Sequence, residues 1–180
     1  MKRCSWVDLN SELYINYHDE EWGKPVYDDR LLFEMLCLEG FQAGLSWLTV
    51  LKKREAFKKA FDNFNILKIA NYDNDKIEQL LKNKSIICHE LKIRASVSNA
   101  QAVLAIQREF GSFANYLWNW TNHKIIKGDG TSTQNELSDK ISKDLKQRKM
   151  KYVGSIIIYS YLQAIGIIND HQKDCFLFGK

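Results

Sequence analysis

Proline is nearly absent from this chain of 180 residues, which holds one, and glycine is sparse at nine. All-β folds built on many tight turns need more of both, so the scarcity points to helices. Long apolar runs are missing too. None approaches the roughly 20 residues that span a bilayer, which sets a membrane-embedded chain aside. The opening Met1-Lys2-Arg3-Cys4-Ser5-Trp6 lacks the apolar core of a secretory signal, and a cytoplasmic protein is the expectation. Neither sign of charge dominates: 26 Lys and Arg stand against 22 Asp and Glu, a net of +4. A balance that mild does not by itself mark a nucleic-acid binder. No linker, low-complexity tract or internal repeat interrupts the chain. Residues 1–180 are therefore expected to form a single domain, in line with roughly 100–200 residues per domain.

The bulk composition, 45% hydrophobic and 27% charged, is that of a globular protein. The five Trp and eight Tyr are a more specific signal. Such rings fill cores, and they also stack on other flat rings. Apolar spacing reads as helix nearly throughout. Asp28-Asp29 caps a helix carrying Leu31, Leu32, Phe33, Met35, Leu36 and Leu38. Further helices are expected over about 45–61, after a capping box at Asp75 and Glu78, and over 86–110 and 113–120, resuming at Leu137. The polar stretch 122–136 reads as a loop. Residues 1–27 hold Trp6, Tyr14, Tyr17, Trp22 and Tyr27 without helical spacing, and read as an irregular segment.

Charge is clustered. One cluster is Lys52, Lys53, Arg54, Lys58 and Lys59; the other runs from Lys140 to Lys151. Each is either a solvated helix face or a phosphate contact. The second helix face ends near Arg148. A connector, Met150-Lys151-Tyr152-Val153-Gly154, leads into an apolar stretch over 155–164, with Ser155 as a possible cap and Gly166 at its end. Two helices joined by such a turn, over about 138–167, make a helix–hairpin–helix. The turn and the dipole of the second helix can hold a phosphate without reading sequence. An ordinary helical hairpin is the competing reading.

The four cysteines are Cys4, Cys37, Cys88 and Cys175, and no secretory signal suggests disulfides. Cys37 and Cys88 fall in apolar stretches and read as small buried hydrophobes. Cys4 and His18 lie near the start, while His171 and Cys175 lie one helical turn apart near the end. Either the two pairs form a closed Cys2His2 site, or they are unrelated residues near the termini. Four protein ligands would leave no coordination position for water, so such a metal would be structural.

Several strings resemble one known family. They are Arg3-Cys4-Ser5-Trp6, Tyr17-His18-Asp19-Glu20-Glu21-Trp22-Gly23-Lys24-Pro25 and Leu38-Glu39-Gly40-Phe41-Gln42-Ala43-Gly44-Leu45-Ser46-Trp47. Leu51-Lys52-Lys53-Arg54-Glu55, Lys92-Ile93 with Asn99-Ala100, Tyr152-Val153-Gly154 and Asn169-Asp170-His171 followed by Cys175 add to them. In this order, over almost the whole chain, they resemble DNA-3-methyladenine glycosylase I, the Tag type. The resemblance implies an all-α helix–hairpin–helix DNA glycosylase fold whose termini are joined by one structural zinc on Cys4, His18, His171 and Cys175. It implies a base pocket of Trp6, Tyr17, Trp47 and Glu39, with Glu39 also the catalytic candidate. It implies DNA contacts at Gly44 and Leu45, which fill the gap left by an extruded nucleotide; Lys151 and Gly154 of the hairpin turn are the expected phosphate contacts. The expected partner is double-stranded DNA containing alkylated adenine, acted on by a monomer that hydrolyses the glycosidic bond without lyase activity. The chain departs from the family pattern over Ser85-Ile86-Ile87 and Cys88-His89-Glu90, and at Lys149, where a glycine is usual.

Overall fold

The structure, a computed structural model, describes residues 1–179. Its organising element is helix α2 (Asp29–Gln42), capped by the Asp28 side chain, which accepts from the Leu31 N–H at 2.8 Å. Ten consecutive residues of α2, Leu32 to Phe41, are buried. A helix apolar on every side must be covered on every side. Here α3 (Trp47–Ala60), α6 (Glu90–Phe110), α7 (Phe113–Asn119) and α9 (Ser155–Ala164) surround it. Two short helices, α4 (Ile66–Ala70) and α5 (Asn74–Lys82), pack on α6, and α8 (Glu136–Gln147) packs on α9. No helix among the described residues is long and apolar enough to cross a membrane.

The helices expected from sequence form, with corrections. Residues 1–27 are not irregular throughout: α1 (Glu12–Glu20) is capped by Ser11. Its inward face is Tyr14, Tyr17 and His18, an i, i+3, i+4 stripe that counts as apolar only once His18 is counted as an inward residue. The cap of α5 is Asp73, not Asp75; its side chain accepts from the Lys76 N–H. Helix α6 starts at Glu90, so Cys88 lies in the preceding loop, exposed. The polar stretch 122–136 contributes a strand, Ile126–Lys127, paired in parallel with Ile168–Asn169, a small exception to an all-helical reading. Gly154, not Ser155, is the N-cap residue of α9.

The α8–α9 turn has a defined C-cap. The Lys149 N–H donates to the Lys146 carbonyl at 2.9 Å and the Met150 N–H to the Leu145 carbonyl at 3.0 Å. This pair of bonds is the Schellman arrangement, and its C′ residue must adopt the left-handed conformation. Lys149 does so at φ +67°. A lysine there carries a steric cost that a glycine lacks. Lys149→Gly is therefore expected to stabilise the protein by about 0.5–1 kcal/mol in urea unfolding. A loss of stability would contradict the assignment of strain to this position.

Candidate active site

A cavity of about 290 Å³ opens where α1, α2 and α9 meet the loop 130–133. Trp6, Tyr14, Tyr17, Trp22 and Trp47 supply its rings, with centroids 5.0 Å apart for Trp6 and Trp22, 5.2 Å for Trp6 and Tyr14, and 5.5 Å for Tyr17 and Trp47. Into this slot α2 directs Glu39. The four residues expected to hold a base, Trp6, Tyr17, Trp47 and Glu39, thus line one cavity.

Two buried side-chain atoms here lack a hydrogen-bond partner: Glu39 Oε2 and Trp47 Nε1. Buried polar groups are ordinarily paired, because leaving one unpaired costs roughly 1–3 kcal/mol. The same helix shows the ordinary solution. Glu34, equally buried, accepts from Arg54 Nε at 2.6 Å and Arg30 Nη1 at 3.0 Å. Burial with no such partner pushes the Glu39 carboxyl up from 4.5 to about 8. An unused donor and an unused carboxyl, set among flat rings, suit a flat ligand bearing N–H groups and positive charge.

The polar rim was not legible in the sequence. Ser160, Gln163 and residues 130–133 line the cavity and carry no motif, and Gln42, although inside the 38–47 string, has nothing in the sequence to mark it as a cavity residue. Asp170 holds that loop. Its carboxylate accepts from the Gly130 N–H at 2.6 Å, from Gln163 Nε2 at 2.6 Å and from the Tyr159 hydroxyl at 3.0 Å. Gly128 lies so close to this carboxylate that a β-carbon there would collide with it.

Behind the rings lie Cys4, His18, His171 and Cys175, all buried, with their ligand atoms within 4.8 Å of one another. Cys4 Sγ and Cys175 Sγ are each 3.6 Å from His171 Nδ1, and Cys175 Sγ is 3.4 Å from His18 Nε2. Tetrahedral coordination with bonds of roughly 2.3 Å to sulfur and 2.0–2.1 Å to nitrogen puts S···N edges near 3.6 Å, so the set fits a metal. Its surroundings fit too. His18 Nδ1 is 2.8 Å from Asp19, whose carboxylate is anchored by Arg3. Backbone N–H groups of Gln172 and Leu177 donate to Cys4 Sγ and Cys175 Sγ. Such outer contacts orient ligands and support thiolates. The cluster also buttresses the cavity: Trp6 packs on His18 at 5.2 Å and Trp22 on His171 at 4.7 Å.

The remaining candidates lie outside the cavity. Gly44, at φ +83°, and Leu45, 42% exposed, form a projecting tip between α2 and α3. Lys151 and Gly154 lie on the α8–α9 turn. The Lys151 backbone is tied to Asn99, so its N–H is already engaged; the Lys151 side chain is exposed. Lys143, Lys146, Lys149 and Lys151 are exposed and make no ion pair among the described residues, whereas Arg148 is bound to Glu109 and Asp144. The first basic cluster is partly internal: Arg54 and Lys58 face Glu34.

The whole chain has recognisable relatives. Residues 6–178 match the family model for methyladenine glycosylase. The chain is 43% identical over 178 residues to a DNA-3-methyladenine glycosylase of Haemophilus influenzae, covering 96% of each. It is 44% identical over 180 residues to DNA-3-methyladenine glycosylase 1 of Escherichia coli, covering 97% of this chain and 96% of that one. A crystal structure of 3-methyladenine DNA glycosylase I superposes with a TM-score of 0.93 at 45% identity, over 98% of this chain and 99% of that one. A structure of the Staphylococcus aureus enzyme, described for its recognition of 3-methyladenine, gives 0.93 at 38% identity, over 97% and 95%.

The Glu39 carboxyl makes stability depend on pH with a definite sign. Its folded value, about 8, lies above its unfolded value of 4.5. Its burial is therefore tolerated below pH 4.5 and becomes increasingly costly as pH rises to 8. Glu39→Gln removes that cost. In urea unfolding, the variant's advantage over the parent is expected to grow between pH 5 and pH 8 by on the order of 1–3 kcal/mol. A difference that does not change with pH would contradict the buried, unpaired state of Glu39.

Proposed function

The chain belongs to the methyladenine glycosylase family, and from that premise we propose that it excises 3-methyladenine from alkylated DNA, a step of base-excision repair. The observation that carries the reading is the unpartnered pair, Glu39 Oε2 and Trp47 Nε1, inside a ring-walled cavity. Adenine methylated at N3 and still bound to its sugar carries a positive charge. The rings attract that charge by about 0.5–2 kcal/mol per contact, and neutral adenine forgoes it. Bound beside Glu39, the cation draws the carboxyl into its ionised form, and the carboxylate accepts the exocyclic N–H.

Cleavage then follows the charge. The C1′–N9 bond breaks with its electron pair passing to the base, which leaves neutral, while positive charge develops on the sugar. Glu39 is the proposed catalytic residue: its unpaired carboxylate is free to stabilise this charge, whereas the Asp170 carboxylate on the same cavity is already engaged by Gly130, Tyr159 and Gln163. Water attacks C1′ and loses a proton to solvent, leaving an abasic site. The cavity lining holds no lysine among the described residues, in keeping with water as the nucleophile and no lyase step.

A base inside a duplex must leave the stack to reach such a cavity. Leu45 at its Gly44 tip fills the gap in this reading. The helix–hairpin–helix of α8 and α9 supplies the phosphate grip through the uncapped first turn of α9 at Gly154 and through Lys143, Lys146, Lys149 and Lys151. The reading is of a monomer acting on double-stranded DNA in the cytoplasm. The metal is assigned as one zinc held by Cys4, His18, His171 and Cys175. When bound, it cross-links the two ends of the chain behind the cavity, a structural role.

Incubation with methylated duplex DNA is expected to release free 3-methyladenine, measured by mass spectrometry, with Glu39→Gln slower by about 100-fold. Folded protein that releases none would sink the proposed activity. An unimpaired Glu39→Gln variant would remove Glu39 from the chemistry. For the metal, elemental analysis is expected to find about one zinc per chain, with Cys175→Ala losing it and melting at least about 10 °C lower. Metal-free parent protein of full stability would refute the zinc assignment.

A further inference from the structure

Helix α6 presents two buried polar residues to the DNA-contacting elements, and neither touches the cavity. Lys92 is 7% exposed, and its Nζ donates to the Phe41 carbonyl at 2.8 Å and the Ala43 carbonyl at 2.6 Å. These carbonyls lie at the C-terminal end of α2, where a helix leaves acceptors unused and its dipole favours a cation. Immediately beyond them comes the Gly44–Leu45 tip. Lys92 makes no ion pair among the described residues, so its charge is devoted to this helix end and to the Tyr152 ring 5.9 Å away. Asn99 is 5% exposed and makes a reciprocal pair with the α8–α9 turn: its Nδ2 donates to the Lys151 carbonyl at 2.9 Å, and its Oδ1 accepts from the Lys151 N–H at 2.8 Å.

The two residues are seven apart, two turns of one helix, so they share a face about 10 Å apart along its axis. One face of α6 thus grips both the base of the projecting tip and the turn that is placed to hold phosphate. Gly40 completes the junction, with its α2 backbone packed close to Tyr152 Cβ. We infer that Lys92 and Asn99 are positioning residues that hold the Leu45 tip and the α8–α9 turn at one fixed spacing, so that the gap is filled at the nucleotide whose phosphates are gripped. This rests on the functional reading above and adds two residues to it. Neither residue reaches the base, so their loss separates two quantities that a merely structural role would lower together.

The test measures affinity for free 3-methyladenine by tryptophan fluorescence, and the single-turnover rate of 3-methyladenine release from methylated duplex DNA. Lys92→Met removes both hydrogen bonds while keeping most of the side chain. It is expected to bind the free base within about twofold of the parent yet to excise from duplex about tenfold more slowly, the scale of losing a charged hydrogen bond. Asn99→Asp, a near-isosteric change, removes the donor to Lys151 and is expected to show the same split at about fivefold. It carries the test on its own if Lys92→Met does not fold. Equal losses of affinity and rate, or an unchanged rate, in either folded variant would overturn the inference. A parent protein that releases no 3-methyladenine would instead overturn the functional reading, and this inference with it.

Discussion

A buried carboxyl group without a partner is the constraint on which the rest of the structure depends. Helix α2 buries two glutamates five residues apart. Glu34 is neutralised by Arg30 and Arg54, and it ties α2 to α3. Glu39 receives nothing comparable, and its Oε2 is left without a hydrogen bond. A fold optimised for stability alone would place an arginine there or replace the carboxyl. Keeping it empty-handed stores interaction energy for a ligand that brings its own charge and its own N–H groups. This is the arrangement expected of a site shaped for a transition state rather than for the resting protein.

An unpaired carboxyl is useful only if its surroundings cannot relax onto it. Three devices keep them in place. The Asp170 carboxylate pins the loop 130–133 through Gly130 while itself being fully engaged with Tyr159 and Gln163. The Cys4, His18, His171 and Cys175 cluster stands behind Trp6 and Trp22, so the first and last segments of the chain support the same two rings. Finally, α2 is enclosed on all sides, and its end is fastened to α6 by Lys92. The result is a rigid slot with rigid elements around it, as preorganised charge stabilisation requires.

The sequence revealed most where chemistry coincided with periodicity. The all-round apolar run of α2, the Asp28 cap and the apolar stretch of α9 were legible from spacing alone. The cavity residues and the Cys and His cluster were legible through a family resemblance, since residues as far apart as Cys4 and Cys175 meet only in the fold. What escaped did so for physical reasons. Helix α1 was hidden because its inward face includes a histidine, which spacing rules count as polar. Cys88 looked buried because its apolar neighbours were assumed to continue α6 backwards past Glu90. Arg54 and Lys58 looked like surface charge because their partner, Glu34, lies inside an apolar helix. Lys92 and Asn99 interrupt the apolar face of α6 in plain view, but what they bind is backbone, and backbone acceptors leave no trace in sequence. The rim loop escaped for a similar reason: its position depends on Asp170, some forty residues away.

The most direct test of this account is the titration of Glu39 itself. Carbon-13 labelling of the glutamate carboxyls, assigned with Glu39→Gln, would follow its ionisation by NMR in the free protein. This carboxyl is expected to titrate near 8, far above the ordinary glutamate value, and the value is expected to fall when an N3-methylated, positively charged adenine nucleoside occupies the cavity. Titration near 4.5 in the free protein would mean that Glu39 has a partner or reaches solvent, and the central claim would fail.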